Sequence, residues 1–265
     1  MAALAVATNR SHAATLLNGK ITQGALMRGR VAPSSNVYLD GERLSLSSKG
    51  DFAFGFAYDR TKSAILKLEH AGAPAEEQEL KPVIREYKVQ KINGLPEKFV
   101  DPPQGVMARI ERDNKLIGAA RSRNTDEAWF VDDFAWPVRG PVTGVFGSQR
   151  ILNGVPKRPH FGLDIAASEG KPIYAPVGAI VSMADSDLYF TGGTVTLDHG
   201  RGISTSYLHM SRIDVKVGDR IEKGQVIGAI GKTGRATGPH LCWRLNWFQE
   251  RLDPALVLGP ATVQP

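Results

Sequence analysis

Three short segments in the second half of the chain combine histidine with other residue types that bind metal ions. The first is PHFGLD (residues 159–164), in which the imidazole of His160 and the carboxylate of Asp164 lie four residues apart. Both groups are good zinc ligands, and this spacing lets both reach one ion if the chain curls around it. The His-x-x-x-Asp pattern is common, so alone it is a weak signal.

The other two segments lie at the ends of predicted strands. Alternation in residues 203–209 predicts that Tyr207 and His209 share one face of a strand. His240 and Cys242 point to the same side if Leu241–Trp247 is a strand, and both could then approach a metal ion. A buried cysteine is more often a small apolar side chain than a ligand, so this pair is also a weak signal by itself.

The elements that must position these residues are predicted to be strands. From Phe134 onward, apolar runs are separated by glycine-containing turns, which is typical of short strands. We therefore expect an antiparallel β domain over residues 134–265, with loops that form a groove. Its predicted strands are Ile173–Met183, Thr194–Asp198, Ile203–Met210, Val226–Ile230 and Leu241–Trp247.

The first half of the chain has a different pattern. Asp40-Gly41 lies between alternating apolar residues, which is a strong hairpin signal, and Phe52, Phe54 and Phe56 alternate again. Turn signals at short intervals predict a small β-sandwich domain over residues 19–90, with nothing catalytic in it. This domain is interpreted as a spacer or docking module, with a possible protein partner.

A linker over residues 91–133 joins the two domains. Its prolines hold the chain extended, and the region from Pro103 to Trp129 has the pattern of an amphipathic helix. We interpret its charged residues as the solvated face of that helix. They are Arg109, Arg112, Lys115, Arg121 and Arg123.

Composition narrows the possible functions. The net charge of +6 is spread along the chain, and no Lys or Arg block interleaved with aromatics indicates nucleic-acid binding. Cys242 is the only cysteine of the 265 residues, so an intramolecular disulfide is excluded. No stretch approaches the ~20 apolar residues of a transmembrane helix. Residues 1–18 are interpreted as a signal-peptide remnant or a disordered terminus.

The order and surroundings of the three histidine segments resemble a known family. FGSQR (146–150), PHFGLDIAASEGKPIYAPVGAIV (159–181), LDHGRGISTSYLHM (197–210) and VKVGDRIEKGQVIGAIGKTGRATGPHL (215–241) closely resemble the lysostaphin-type (LytM-type) peptidoglycan metallopeptidases. The resemblance spans about residues 146–257. The segments REYKVQKINGLPEKF and NWFQERLDPALVL are similar to the Gram-negative, periplasmic branch of that family.

The resemblance implies a zinc site and the roles of its residues. His160 and Asp164 match two family ligands, and Cys242 stands where the family has its third ligand, a histidine. His209 and His240 match the catalytic pair, which assists a zinc-activated water. Which of them is the general base stays open. The tyrosine that some members place shortly before the first ligand has no counterpart between residues 146 and 160.

The implied function is that of a periplasmic or secreted zinc metalloendopeptidase. Its substrate would be the peptide crosslinks of peptidoglycan, in the Gram-negative case D-alanyl–diaminopimelate crosslinks between stem peptides. Cys242 leaves an alternative open, namely a catalytically impaired member that binds cell wall or regulates another cell-wall hydrolase.

Overall fold

The structure is a computed structural model that describes residues 18–258. The predicted signal-peptide remnant therefore lies outside the described residues, apart from Asn18. Most of the regular structure is β-strand, and no helix in the described part of the chain is long and apolar enough to cross a membrane.

Six short strands form the N-terminal part. They are β1 (Leu26–Arg30), β2 (Asn36–Leu39), β3 (Glu42–Arg43), β4 (Asp51–Gly55), β5 (Ala64–Glu69) and β6 (Glu76–Leu80).

These strands form two antiparallel sheets that share one apolar core. β1 pairs with β4, and a four-stranded sheet has the order β3-β2-β5-β6. Asp40 and Gly41 join β2 to β3 with φ angles of 51° and 85°. Positive φ at both positions suits the right-handed twist of a hairpin, and Asp-Gly tolerates it. Phe52, Phe54 and Phe56 are fully buried between the sheets, so the predicted small β-sandwich is confirmed.

The linker contains one strand, one long helix and several short helical turns, two of which are the 3₁₀ turns Gln104–Val106 and Trp129–Val131. The remaining elements are β7 (Val89–Ile92), α1 (Glu97–Val100) and α2 (Met107–Arg121). Buried Ala120 and half-buried Ile117 pack on Met183 and Leu188, so the linker contains a helix as predicted, although it is shorter than the region from Pro103 to Trp129. The interpretation of its charges as a solvated face is wrong for Arg121, which is only 7% exposed because it points into a cavity beside the large sheet.

The C-terminal part contains the remaining strands. They are β8 (Val142–Gly144), β9 (Gln149–Leu152), β10 (Val155–Pro156), β11 (Leu163–Ala166), β12 (Pro172–Tyr174), β13 (Ala179–Leu188), β14 (Gly192–Gly200), β15 (Ile203–Met210), β16 (Arg212–Ile213), β17 (Arg220–Ile221), β18 (Val226–Ala229), β19 (His240–Trp247) and β20 (Glu250–Leu252).

One large antiparallel sheet dominates this part, as predicted. Its order is β17-β13-β14-β15-β19-β11-β8, and β20 pairs with β19. A small sheet has the order β12-β18-β16. Another small sheet has the order β10-β9-β7, and in it β7 of the linker pairs in parallel with β9. The limits of the sandwich, linker and catalytic domains along the chain stay predictions.

Two predicted features of this sheet are wrong in detail. The single strand Ile173–Met183 is divided into β12 and β13, because Pro176 lacks the N–H that a continuous ladder needs. His209 does not share the face of Tyr207, whose ring lies in the core. The register between β14 and β15 is irregular near the end of β15, and His209 has a φ of 67°. This bulge turns the imidazole to the opposite face.

Candidate metal centre

Strand alternation aims three side chains at one point. Leu241, Trp243 and Leu245 of β19 belong to the main core, so the even-numbered residues of that strand face the other side of the sheet. Cys242 lies directly opposite Asp164 of β11 in the strand register. The structure thus brings the sequence-predicted residues Asp164 and Cys242 together.

His160 reaches the same point from the loop before β11. Its backbone is held by hydrogen bonds in both directions: its N–H donates to Ser148 O at 2.8 Å, and its carbonyl accepts from Gly147 N at 2.7 Å. Its Nε2 lies 3.0 Å from Asp164 Oδ1 and 3.4 Å from Cys242 Sγ. All three side chains are buried, and their potential ligand atoms lie within 4.8 Å of one another.

These distances fit a zinc ion held by nitrogen, oxygen and sulfur. Tetrahedral zinc at its usual bond lengths separates neighbouring ligand atoms by ~3.3–3.6 Å. Asp164 Oδ1 is buried without a hydrogen-bond donor, although the His160 ring is close to it. A buried carboxylate oxygen in that situation costs free energy that a cation would offset. The donor set and its spacing therefore suit zinc.

Arg150 of β9 holds the other oxygen of the carboxylate. Its Nη2 donates to Asp164 Oδ2 at 2.5 Å. Burial opposes ionisation of Asp164, but the His160 imidazole and the Arg150 guanidinium favour it, and the pKa of this carboxyl lies below its ordinary value. Burial lowers the pKa of His160. A carboxylate and a neutral imidazole are the forms that bind zinc.

Space for this carboxylate depends on Gly144 of β8. A Cβ atom at that position would overlap Asp164 Oδ2. The glycine therefore lets strands β8 and β11 pair while the carboxylate lies between them.

His209 and His240 form a second group beside the three candidate ligands. Their ring centroids lie 4.8 Å apart, and His240 Nε2 is 3.8 Å from Asp164 Oδ1. His209 Nδ1 lies 2.8 Å from Thr233 O, and His240 Nδ1 lies 2.9 Å from Gly238 O. A carbonyl only accepts, so each Nδ1 carries a proton, and a ring in its neutral form has its lone pair on Nε2.

Burial, and secondarily the neighbouring His240, lowers the pKa of His209 to about 3. The His209 ring is therefore neutral near pH 7.

His199 lies outside the site. It is fully buried in β14, where Nδ1 is 2.8 Å from Gly178 O and Nε2 is 2.8 Å from Thr205 Oγ1. Both ring nitrogens have partners, so its role is structural.

Two cavities flank the centre and together form the groove expected from the loops. One of about 450 Å³ borders His160, His209 and Cys242, and one of about 290 Å³ borders Asp164, His209 and His240. Residues of β7 and α2 line their outer walls.

Sequence reasoning missed two features of this site. The first is the contact of Arg150 with Asp164. The contribution of α2 to the groove was also missed, because a helical pattern does not show which neighbour the helix packs against. The FGSQR segment was the one available signal, since it places Arg150 shortly before the first candidate ligand.

Comparisons with known proteins identify a family domain and several relatives. Residues 158–254 match the sequence profile of "Peptidase family M23". The chain is 44% identical over 98 residues to the peptidoglycan DD-endopeptidase ShyA of Vibrio cholerae, covering 36% of this chain and 23% of ShyA. It is 30% identical over 132 residues to the cell division protein DipM of Caulobacter vibrioides, covering 50% of this chain and 21% of DipM. The chain thus spans less than a quarter of either relative.

A solved structure matches most of the chain. A Pseudomonas aeruginosa protein assigned to peptidase M23 superimposes with a TM-score of 0.68 and 29% sequence identity, covering 91% of this chain and 96% of that protein. The likeness therefore includes the N-terminal part as well as the large sheet. Residues 158–254 thus carry a domain of peptidase family M23, a family of metallopeptidases, and most of the chain shares the fold of the Pseudomonas aeruginosa protein.

Proposed function

We propose that this protein is a zinc-dependent endopeptidase that hydrolyses peptide crosslinks of peptidoglycan in the periplasm of a Gram-negative bacterium. The observation that carries the proposal is the cluster of His160, Asp164 and Cys242, with the imidazoles of His209 and His240 beside it, each held at Nδ1 by a backbone carbonyl. The printed name of ShyA supports the choice of substrate.

The chain's own residues divide the work. His160, Asp164 and Cys242 would hold zinc, and the ion when bound would polarise the scissile carbonyl and lower the pKa of a water molecule. Either His209 or His240 would accept that water's proton at Nε2, and the resulting imidazolium would face the oxyanion as it develops. Thr233 O and Gly238 O keep both rings oriented with Nδ1 protonated.

Cys242 also supports a second candidate, a family member that binds cell wall without cutting it. Burial, with the Asp164 carboxylate nearby, raises the pKa of the Cys242 thiol to about 12. A zinc ion deprotonates a coordinating thiol outright, so the two candidates differ in whether zinc is held here.

One experiment separates the two candidates. The purified protein is analysed for bound metal and incubated with a purified crosslinked peptide dimer carrying a D-alanyl–diaminopimelate bond. An endopeptidase contains about one zinc per chain and releases monomers, and a chelator stops the release. A natural protein that holds no zinc and leaves the dimer intact, but binds zinc and cuts the dimer once Cys242→His is introduced, would show that the natural protein is not a peptidase.

A further inference from the structure

Positive charge dominates the larger cavity beside the candidate metal centre. Seven lysine and arginine side chains border it, against one carboxylate, Asp113. That carboxylate is already engaged, because it accepts hydrogen bonds from Arg112 and from the backbone N–H of Tyr189. The cavity therefore holds a strong excess of positive charge.

Five of the six arginines that border this cavity, Arg158 and Arg235 among them, have no salt-bridge partner within residues 18–258. Arg121, Arg244 and Arg251 form no salt bridge with any acidic side chain of residues 18–258. Arg121 is 93% buried, because its exposed fraction is 7%, and its Nη1 has no hydrogen-bond acceptor. Arg244 Nε is likewise buried without an acceptor. These N–H groups can be satisfied only by something that enters the cavity.

The three guanidinium groups act on one another. Burial first, and then the charges of Arg121 and Arg244, lowers the pKa of Arg251. Burial and the charge of Arg244 lower the pKa of Arg121 to about 10. Unpaired charges gathered in a buried site destabilise a fold, and such an arrangement is typical of a functional site.

The three residues come from separate elements that meet only in the folded chain. Arg121 ends α2, Arg244 lies on the site-facing side of β19 two residues after Cys242, and Arg251 lies in β20. Arg121 also lies outside the residues that match the family profile, which are 158–254. The cluster thus joins the linker helix to the peptidase sheet.

Guanidinium groups bind carboxylates through paired hydrogen bonds. Diaminopimelate has two amino and two carboxyl groups, each amino group sharing a carbon atom with one carboxyl group. When one amino group forms the crosslink, a free carboxylate lies next to the bond to be cut. The ends of the two peptide chains supply further carboxylates.

We propose that Arg121, Arg244 and Arg251 form a subsite that binds a free carboxylate of the crosslinked peptide on the His160 side of the candidate metal centre. The choice of peptide rests on the proposed function. The ligand chemistry, a carboxylate, rests on the cluster itself.

The test measures binding to zinc-free protein by calorimetry, so that it does not depend on turnover. Three versions of a crosslinked peptide dimer are compared. The first has all carboxylates free, the second has the diaminopimelate carboxylate beside the crosslink converted to an amide, and the third has only the chain-end carboxylates converted. We expect one amidated version to bind about 10–100-fold more weakly than the free peptide, as for a lost charge-assisted hydrogen bond, and that version identifies the carboxylate.

The variants separate binding from structure. Arg121→Gln is expected to remove the difference between free and amidated peptide and to raise the melting temperature, because it removes a buried unpaired charge. The control Arg123→Gln removes the same charge from an exposed position next to the helix. It should change neither the difference in binding between free and amidated peptide nor the melting temperature. If Arg121→Gln does not fold, Arg251→Gln replaces it in the same comparison.

Equal binding of all three peptides, or no binding of any, would overturn the subsite. So would an Arg121→Gln protein that is less stable and still discriminates, because Arg121 would then be structural. A protein that discriminates but cuts no peptide when loaded with zinc would refute the proposed function and keep the subsite. A zinc-loaded protein that cuts free and amidated dimers equally would support the proposed function and refute the subsite.

Discussion

The N-terminal sandwich and the large C-terminal sheet fill their interiors in different ways. In the sandwich, the buried ring of Phe54 packs against the rings of Phe52 and Phe56, with ring centroids 5.8–6.4 Å apart. The large sheet buries His160, Asp164 and other polar groups on the face that carries the candidate metal centre. Several of those polar atoms have no partner within residues 18–258.

This difference has a physical meaning. Close apolar packing stabilises a fold and leaves nothing to react, whereas unsatisfied buried polar atoms cost stability unless a ligand completes them. Substitutions in the sandwich should therefore change stability and leave the chemistry intact. Substitutions at the candidate metal centre should do the reverse.

The largest effect is expected from Asp164→Ala. This substitution removes a candidate ligand, so we expect the protein to lose bound zinc and, with it, peptidase activity, while the fold persists. Metal analysis of the purified variant and a cleavage assay measure both effects. Asp214→Ala, which removes a carboxylate from the exposed pair with Arg212, is the matched control and should keep full zinc. Normal zinc content in Asp164→Ala would show that Asp164 is not a zinc ligand.

His209→Ala should lower turnover by about 10²–10⁴-fold and leave zinc in place, because it removes one acid–base group and no ligand. Single-turnover cleavage kinetics and metal analysis on the same sample test this. If the variant lost metal as completely as His160→Ala, the division between ligands and catalytic histidines would be wrong.

In the sandwich, Phe54→Ala should lower the free energy of unfolding by about 3–5 kcal/mol, because it leaves a cavity in a fully buried aromatic cluster. Zinc content and activity per folded molecule should not change. Urea denaturation measures the free energy of unfolding. The control is Ile65→Ala, at a position that is 41% exposed, which should change this free energy by less than about 0.5 kcal/mol. A loss of zinc in folded Phe54→Ala would show that the two regions are coupled.

Arg150→Gln tests a residue that holds a candidate ligand in place. It removes the partner of Asp164 and no ligand, so zinc affinity should fall about 10–100-fold, as for other groups that hold a ligand in place. A competition titration against a chelator measures the change. Arg212→Gln breaks a similar Arg–Asp pair on the surface and should leave zinc affinity unchanged; equal losses in the two variants would refute the role of Arg150.

Much of the fold and of the candidate site follows from sequence pattern. The bounds of β15 agree with the prediction, and the segments containing His160, Asp164 and Cys242 converge as the resemblance implies. Period-two alternation is local, so the sequence alone can show it. Alternation failed at His209, where a bulge with positive φ reverses the side chain.

The features that escaped prediction depend on contacts between distant segments. Arg121 and Arg150 read as surface charges in the sequence, but one lies in a cavity and the other binds Asp164. Their environments are created by the packing of α2 and β9 against the large sheet, which no local pattern records. The roles of His160, Asp164, His209, His240 and Cys242 remain predictions for the experiments above.

X-ray absorption spectroscopy at the zinc edge tests the central claim most directly. For protein loaded with one zinc per chain, we expect the zinc to have one sulfur ligand at ~2.3 Å and nitrogen and oxygen ligands at ~2.0–2.2 Å. The sulfur signal should be lost in Cys242→Ser. A first shell without sulfur in the natural protein, or an unchanged spectrum in Cys242→Ser, would contradict zinc binding by Cys242 and with it the proposed metal centre.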